Sequence, residues 1–113
     1  MAWQLPPTEF QAWLAEVAPE GRPLLLDVRE GWEVAQVALR QEGTDWLHIP
    51  MNEVPARLGE LEASRAIVCY CHHGVRSLQV VAFLSARGFD SVYNLAGGID
   101  AWSLQVDPSL PRY

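Results

Sequence analysis

The chain has 113 residues, half of them hydrophobic and 19% charged, with a formal net charge of −6. That length supports one hydrophobic core and is too short for two, so a single domain over residues 1–113 is expected. The composition excludes extended disorder, and the acidic balance argues against nucleic acid or an anionic membrane surface as the main partner.

In chain order, Trp3, Gln4 and Leu5 suit a short edge strand before the break at Pro6 and Pro7. Thr8 to Gln11 has capping-box form, and Phe10, Trp13, Leu14 and Val17 then follow at helical spacing until Pro19 and Gly21 close the helix. Residues 24–28 are apolar at nearly every position, as a parallel strand covered on both faces would be. A short helix is expected over residues 30–39, a turn at Gly43 and Thr44, and a strand over residues 46–49 stopped by Pro50. Asn52 is expected to cap a helix running to Leu61, with Pro55 in its first turn and Leu58 and Leu61 facing the core.

Residues 66–70 form the clearest strand. It runs through Cys71, His72, His73, Gly74, Val75 and Arg76 into a helix expected from Ser77 to Arg87, closed by Gly88. A last strand over residues 91–95 turns at Gly97 and Gly98 into a short helix over 99–102, and residues 106–113 form a tail over the surface. Strands alternating with helices predict an α/β fold: a parallel sheet with helices on both faces. Ligands of such sheets bind beyond the C-terminal strand ends, which is where Cys71 falls.

No apolar run approaches the length of a membrane span, and the segment from Met1 to Pro7 has neither a basic stretch nor a long apolar core of a secretory signal. The two cysteines, Cys69 and Cys71, are no disulfide framework, so a reducing cytoplasm is the expected setting. Five tryptophans are read as core and near-surface packing.

The chemistry converges on Cys71. A tight loop between a strand and a helix can turn its backbone N–H groups toward one point, an anion nest backed by the positive end of the helix dipole. Gly74 supplies a residue that takes positive φ without penalty. A free thiol, with a pKa of roughly 8.5, is only a few per cent thiolate at neutral pH, and a nest of this kind is expected to raise that share. Such a thiolate attacks electrophilic sulfur. Arg76 either holds an oxyanion through parallel hydrogen bonds or forms a structural ion pair. Ser77 either bonds the sulfur or caps the following helix, the latter preferred. His72 and His73 either donate from the rim or are exposed, exposure being preferred for at least one. Cys69 reads as a small buried hydrophobe. A zinc site built on these cysteines and histidines lacks the usual spacing and a second ligand pair, so neither metal nor cofactor is implied. A Cys69–Cys71 disulfide is disfavoured, because side chains two apart on a strand are poorly placed for that bond.

The loop from Cys71 to Ser77 resembles the active-site loop of rhodanese-like sulfurtransferases. The stretch Leu25-Leu26-Asp27-Val28-Arg29-Glu30, the piece His48-Ile49-Pro50-Met51, and the run from Val92 to Trp102 resemble further signatures of that family, in the same order. The resemblance implies a five-stranded parallel sheet and a persulfide carried on Cys71, with residues 72–77 (His72, His73, Gly74, Val75, Arg76, Ser77) around the substrate. It also implies that Asp27 and Arg29 support the loop from behind. The expected reaction moves sulfane sulfur from a small anionic donor such as thiosulfate to cyanide or a thiol; the alternative is a relay module that exchanges sulfur with a partner protein. One stretch departs from the pattern: residues 34–45 lack the expected Gly-His-Ile and Gly-Ala steps, which bears on one wall of the site. Phosphatases sharing the fold carry a longer loop between cysteine and arginine, and the four residues between Cys71 and Arg76 suit sulfur better than phosphate.

Overall fold

The computed structural model describes residues 3–113; Met1 and Ala2, which open the segment read above as lacking a secretory signal, lie outside the described residues. Five strands form one parallel sheet: β1 (Gln4–Leu5), β2 (Leu24–Asp27), β3 (Asp45–His48), β4 (Ile67–Tyr70) and β5 (Val92–Leu95), in the order β1-β5-β4-β2-β3. The α-helices are α1 (Phe10–Val17), α2 (Gly31–Gln36), α3 (Val75–Ala86) and α4 (Gly98–Gln105).

The two-residue period of a strand divides the core into two layers. Leu24, Leu26, Ile67 and Cys69 point to one face, where Val80, Val81 and Leu84 of α3 cover them together with Val54 and Leu61. Leu25, Val68 and Tyr70 point to the other, against Phe10 and Trp13 of α1 and Ile99 and Trp102 of α4. Burying each such large side chain contributes roughly 1.5–3 kcal/mol, and this two-sided burial is why β2 and β4 are apolar without alternation. Trp13 and Trp102 lie in the core and Trp3 and Trp46 pack against it, whereas Trp32 is 65% exposed. From β2 the chain steps outward to β3, then returns past β2 to β4 and outward to β5. The reversal lies between β2 and β4, so the chain leaves the C-terminal ends of those two strands in opposite directions, the place where sheets of this kind bind ligands. Among the described residues no helix is long and apolar enough to cross a membrane.

Several local expectations give way. Thr8 caps nothing: Pro7 opens a 3-10 turn over Pro7–Glu9, so Thr8 is already inside it and cannot take the extended conformation of an N-cap. The helix expected from Asn52 to Leu61 is instead two 3-10 turns, Met51–Glu53 and Leu58–Glu60. Asn52 sits within the first turn, and Pro55, which has no N–H, interrupts the ladder between them. Leu61 is nonetheless buried, and Leu58 packs against the core. The helix expected over 30–39 stops at Gln36, because Val37 becomes extended. Helix α3 starts at Val75, two residues early, with Gly74 as its N-cap at φ +95°. Helix α4 outruns its expected four residues to reach Gln105.

Candidate active site

Cys71 leaves the C-terminal end of β4 at the centre of the sheet, and its loop curls back on the sulfur. The Gly74 N–H donates to Sγ at 3.1 Å and the Ser77 N–H at 3.4 Å, with Ser77 Oγ at 3.3 Å. These donors face inward because the loop's carbonyls face outward. The first turn of α4 takes them: Ile99 N–H donates to the Cys71 carbonyl at 2.9 Å and Asp100 N–H to that of His72 at 3.1 Å. The contact admits no side chain at Gly98, whose φ is +66° and where a Cβ would lie 2.5 Å from the Cys71 carbonyl oxygen and closer still to that of His72. Gly74 carries the left-handed turn that reverses the loop. The thiol itself is almost wholly enclosed, with Cys71 1% exposed.

Ser77 is not a cap. It lies inside α3, and its hydroxyl donates to Asn94 Oδ1 at 2.5 Å. Asn94, on β5, also donates from Nδ2 to the Gly74 carbonyl at 3.1 Å and to Gln4 Oε1 at 3.0 Å. Arg76 forks onto Glu33 of α2, with Nη1–Oε2 at 2.7 Å and Nη2–Oε1 at 2.8 Å, so the ion-pair reading describes its position. The Glu33 side chain is 4% exposed. The paired Arg76 guanidinium holds the Glu33 carboxyl down at about 2 against the opposing effect of burial, helped by the Glu30 N–H and the Tyr113 hydroxyl. Glu33 also closes a capping box with Glu30 at the start of α2.

Asp27 and Arg29 form a fully buried pair behind this wall. Arg29 Nε and Nη2 reach the two carboxylate oxygens at 2.9 and 2.7 Å. Burial works against the Arg29 charge, and hydrogen bonds with Asp27 and Tyr113 overcome it, leaving the guanidinium above its ordinary range. The pair has no direct bond to the Cys71 loop. Arg29 Nη2 instead holds the Val37 carbonyl at 2.7 Å, while Tyr70 Oη donates to Asp27 at 2.9 Å and accepts from the Leu39 N–H at 3.0 Å. These bonds anchor Val37 and Leu39, within the stretch 34–45 that departs from the family pattern.

The tail does more than cover surface. Tyr113 lies flat on His72, with ring centroids 3.9 Å apart and 9° between planes, and His73 stacks on the far side of His72 at 3.9 Å. The Tyr113 hydroxyl donates to Glu33 at 2.9 Å and accepts from Arg29 at 3.1 Å. Burial, then the neighbouring His73, pushes His72 below the ordinary histidine range. The His73 side chain is 62% exposed and lies 3.7 Å from Asp100. His72, His73 and Asp100 group closely enough to raise a metal site. Their arrangement is one of packing, since the imidazoles stack face to face and Asp100 is already forked to Arg112. Cys69 is fully buried beneath the loop, and burial raises its thiol well above the ordinary range.

The structure thus gathers Cys71, Gly74 and Ser77 at one sulfur, and sets His72, His73, Val75 and Arg76 around its rim. Sequence reasoning missed Glu33, Asn94 and Tyr113. Glu33 was legible as the second half of a Glu-x-x-Glu capping box, and Asn94 as a polar residue inside a strand. Tyr113 left no local signal.

The chain matches the rhodanese-like domain family over residues 7–105. It is 41% identical over 80 residues to a sulfurtransferase of Allochromatium vinosum, covering 71% of this chain and 71% of that protein. It is 32% identical over 92 residues to the thiosulfate sulfurtransferase GlpE of Actinobacillus pleuropneumoniae, covering 81% of this chain and 80% of the relative. The crystal structure of a rhodanese-like domain protein from Staphylococcus aureus superposes with a TM-score of 0.73 at 28% identity, covering 100% of this chain and 99% of that one. Several other relatives are much longer, and the chain spans only 22–30% of their length.

Proposed function

The chain belongs to the rhodanese-like domain family, and from that membership we propose that it is a sulfurtransferase which carries sulfane sulfur as a persulfide on Cys71. The carrying observation is the pair of backbone N–H groups, of Gly74 and Ser77, that converge on Sγ. Such donors stabilise negative sulfur, whether the thiolate or the donor sulfur arriving at it.

With thiosulfate as donor, the Cys71 thiolate attacks the outer sulfur. The Sγ–S bond forms as the S–S bond of thiosulfate breaks, and sulfite leaves with the electron pair. A cyanide or thiolate acceptor then attacks the terminal sulfur of the persulfide, and Sγ departs as thiolate. No net oxidation is needed. The near-complete enclosure of Cys71 favours a small donor, and the relative named as a thiosulfate sulfurtransferase supports thiosulfate. Arg76 stands beside the entrance, but its two terminal nitrogens are engaged by Glu33, so it serves this reading by holding α2 against the loop.

Intact mass spectrometry after incubation with thiosulfate tests the proposal. Wild type gains one sulfur atom, cyanide removes it, and Cys71→Ser gains none; a wild-type protein that stays unmodified overturns thiosulfate as the donor. A relay reading, with sulfur exchanged with a partner protein, draws on the exposed Trp32 and Val75, 65% and 69% accessible. Val75 opens α3 directly after the Cys71 loop, and Trp32 meets the edge of Tyr113. Fast turnover of free thiosulfate and cyanide, unaffected by Trp32→Ala, counts against that reading.

A further inference from the structure

The hydrogen atoms around Ser77 can be counted. Asn94 Nδ2 faces two acceptors, the Gly74 carbonyl and Gln4 Oε1. A backbone carbonyl cannot donate, so the Gly74 contact fixes the amide with Nδ2 toward the loop and Oδ1 toward Ser77. Oδ1 has no hydrogen, so the 2.5 Å contact with Ser77 Oγ uses the single hydroxyl proton of Ser77. The only hydrogen left for the 3.3 Å contact between Ser77 Oγ and Sγ is the thiol's own. Ser77 therefore accepts from Cys71. To donate to a thiolate it must abandon Asn94, whose oxygen is buried in a residue only 1% exposed and would lose its donor.

We propose that Asn94 is a positioning residue that withholds the Ser77 hydroxyl proton from the Cys71 sulfur, so that the thiolate is left to the backbone N–H donors of Gly74 and Ser77. The inference rests on the reading of Cys71 as the sulfur carrier. In the persulfide the charge moves to the terminal sulfur and Sγ is neutral, so Ser77 keeps its bond to Asn94 in both resting and loaded states. Only the free thiolate, which attacks in the first half-reaction and leaves in the second, lacks the hydroxyl. The two backbone N–H groups hold that species alone, and it is reactive for that reason.

The ultraviolet absorbance of the thiolate, measured at neutral pH against Cys71→Ser as blank, reads this directly and requires no sulfur transfer. A failure here is therefore distinct from a failure of the sulfurtransferase reading. Asn94→Ala, or the strand-compatible Asn94→Val, frees the hydroxyl and raises the thiolate-to-thiol ratio about tenfold, the worth of one charge-assisted hydrogen bond. In a Ser77→Ala background the same Asn94 substitution changes the ratio by less than about twofold. The other ionisable groups near the sulfur stay in place: Arg76 of α3, Glu33 of α2, His72 and His73 of the loop, Cys69 of β4 and Asp100 of α4. An unchanged or lower ratio overturns the proposal, as does an equal rise in the Ser77→Ala background, which would mean that Asn94 acts only through the Gly74 carbonyl. Ser77→Ala alone gives a test that does not depend on the Asn94 variants folding. It leaves the ratio unchanged or raises it, because the thiol loses its acceptor, and a fall of about threefold or more would overturn the proposal by showing that Ser77 already donates to the thiolate.

Discussion

Replacing Asp27 with alanine leaves the Arg29 guanidinium charged and without its counter-ion in a site where both side chains are fully buried. Four hydrogen bonds end on the lost carboxylate: from the Arg29 N–H, Nε and Nη2, and from the Tyr70 hydroxyl. Breaking one half of such a pair costs about 3–5 kcal/mol, because the remaining charge stays desolvated. Whole domains are stable by only about 5–15 kcal/mol, so Asp27→Ala sits near the edge of folding. Urea titration followed by circular dichroism measures this. With a slope of about 1.5 kcal/mol/M, the midpoint falls by about 2–3 M. The paired substitution Asp27→Leu with Arg29→Met removes both charges and recovers most of the loss, since apolar groups of similar volume carry no desolvation debt. If Asp27→Ala costs less than about 1 kcal/mol, or the paired variant is no better than the single one, the reasoning from an uncompensated buried charge is wrong.

Glu33 gives a prediction in pH. Its folded pKa of about 2 lies below the ordinary 4.5, so its pairing stabilises the fold fully above pH 4.5 and is lost as pH falls toward 2. That contribution is about 3 kcal/mol at neutral pH, and Glu33→Gln flattens the corresponding part of an acid unfolding curve; a curve identical to wild type refutes it. At Gly98 an added methyl group forces the Cys71 and His72 carbonyls away from α4 in a residue already at φ +66°. Gly98→Ala is expected to lower the thermal midpoint and to slow sulfur loading at least about tenfold, since displaced N–H donors no longer converge on Sγ. Unimpaired loading, followed by mass spectrometry, refutes that account.

The sheet was legible because its central strands β2 and β4 are apolar at consecutive positions and the segments are punctuated by proline and glycine. Helices were legible where their apolar spacing was strong, as in α1 and α3. Residues 52–61 misled because Asn52 and Pro55 fit a helix start by local rules, while the buried Val54 and the missing N–H of Pro55 favour separate turns. At the site, Cys71 and Gly74 announced themselves through the strand-loop-helix pattern. Arg76 left two readings open because its partner sits on α2, far away in the chain. The Ser77 hydroxyl could be assigned only once β5 had brought Asn94 beside it. Tyr113 reaches His72 and Glu33 through tertiary packing alone, which no local pattern encodes.

The two hydrogen bonds from α4 to the Cys71 and His72 carbonyls make the reactive loop a composite of two distant segments. A peptide copied from residues 71–77 and grafted between another strand and helix would lack the receiving helix end, and its carbonyls would be free to rotate inward. Transplanting the sulfur site therefore means moving the Gly97-Gly98 turn and the first turn of α4 along with the cysteine loop. The same linkage supplies a gauge of site integrity: the Ile99 and Asp100 amides exchange with solvent deuterium only when the loop comes away from the helix, so their exchange rates report how often the cradle opens.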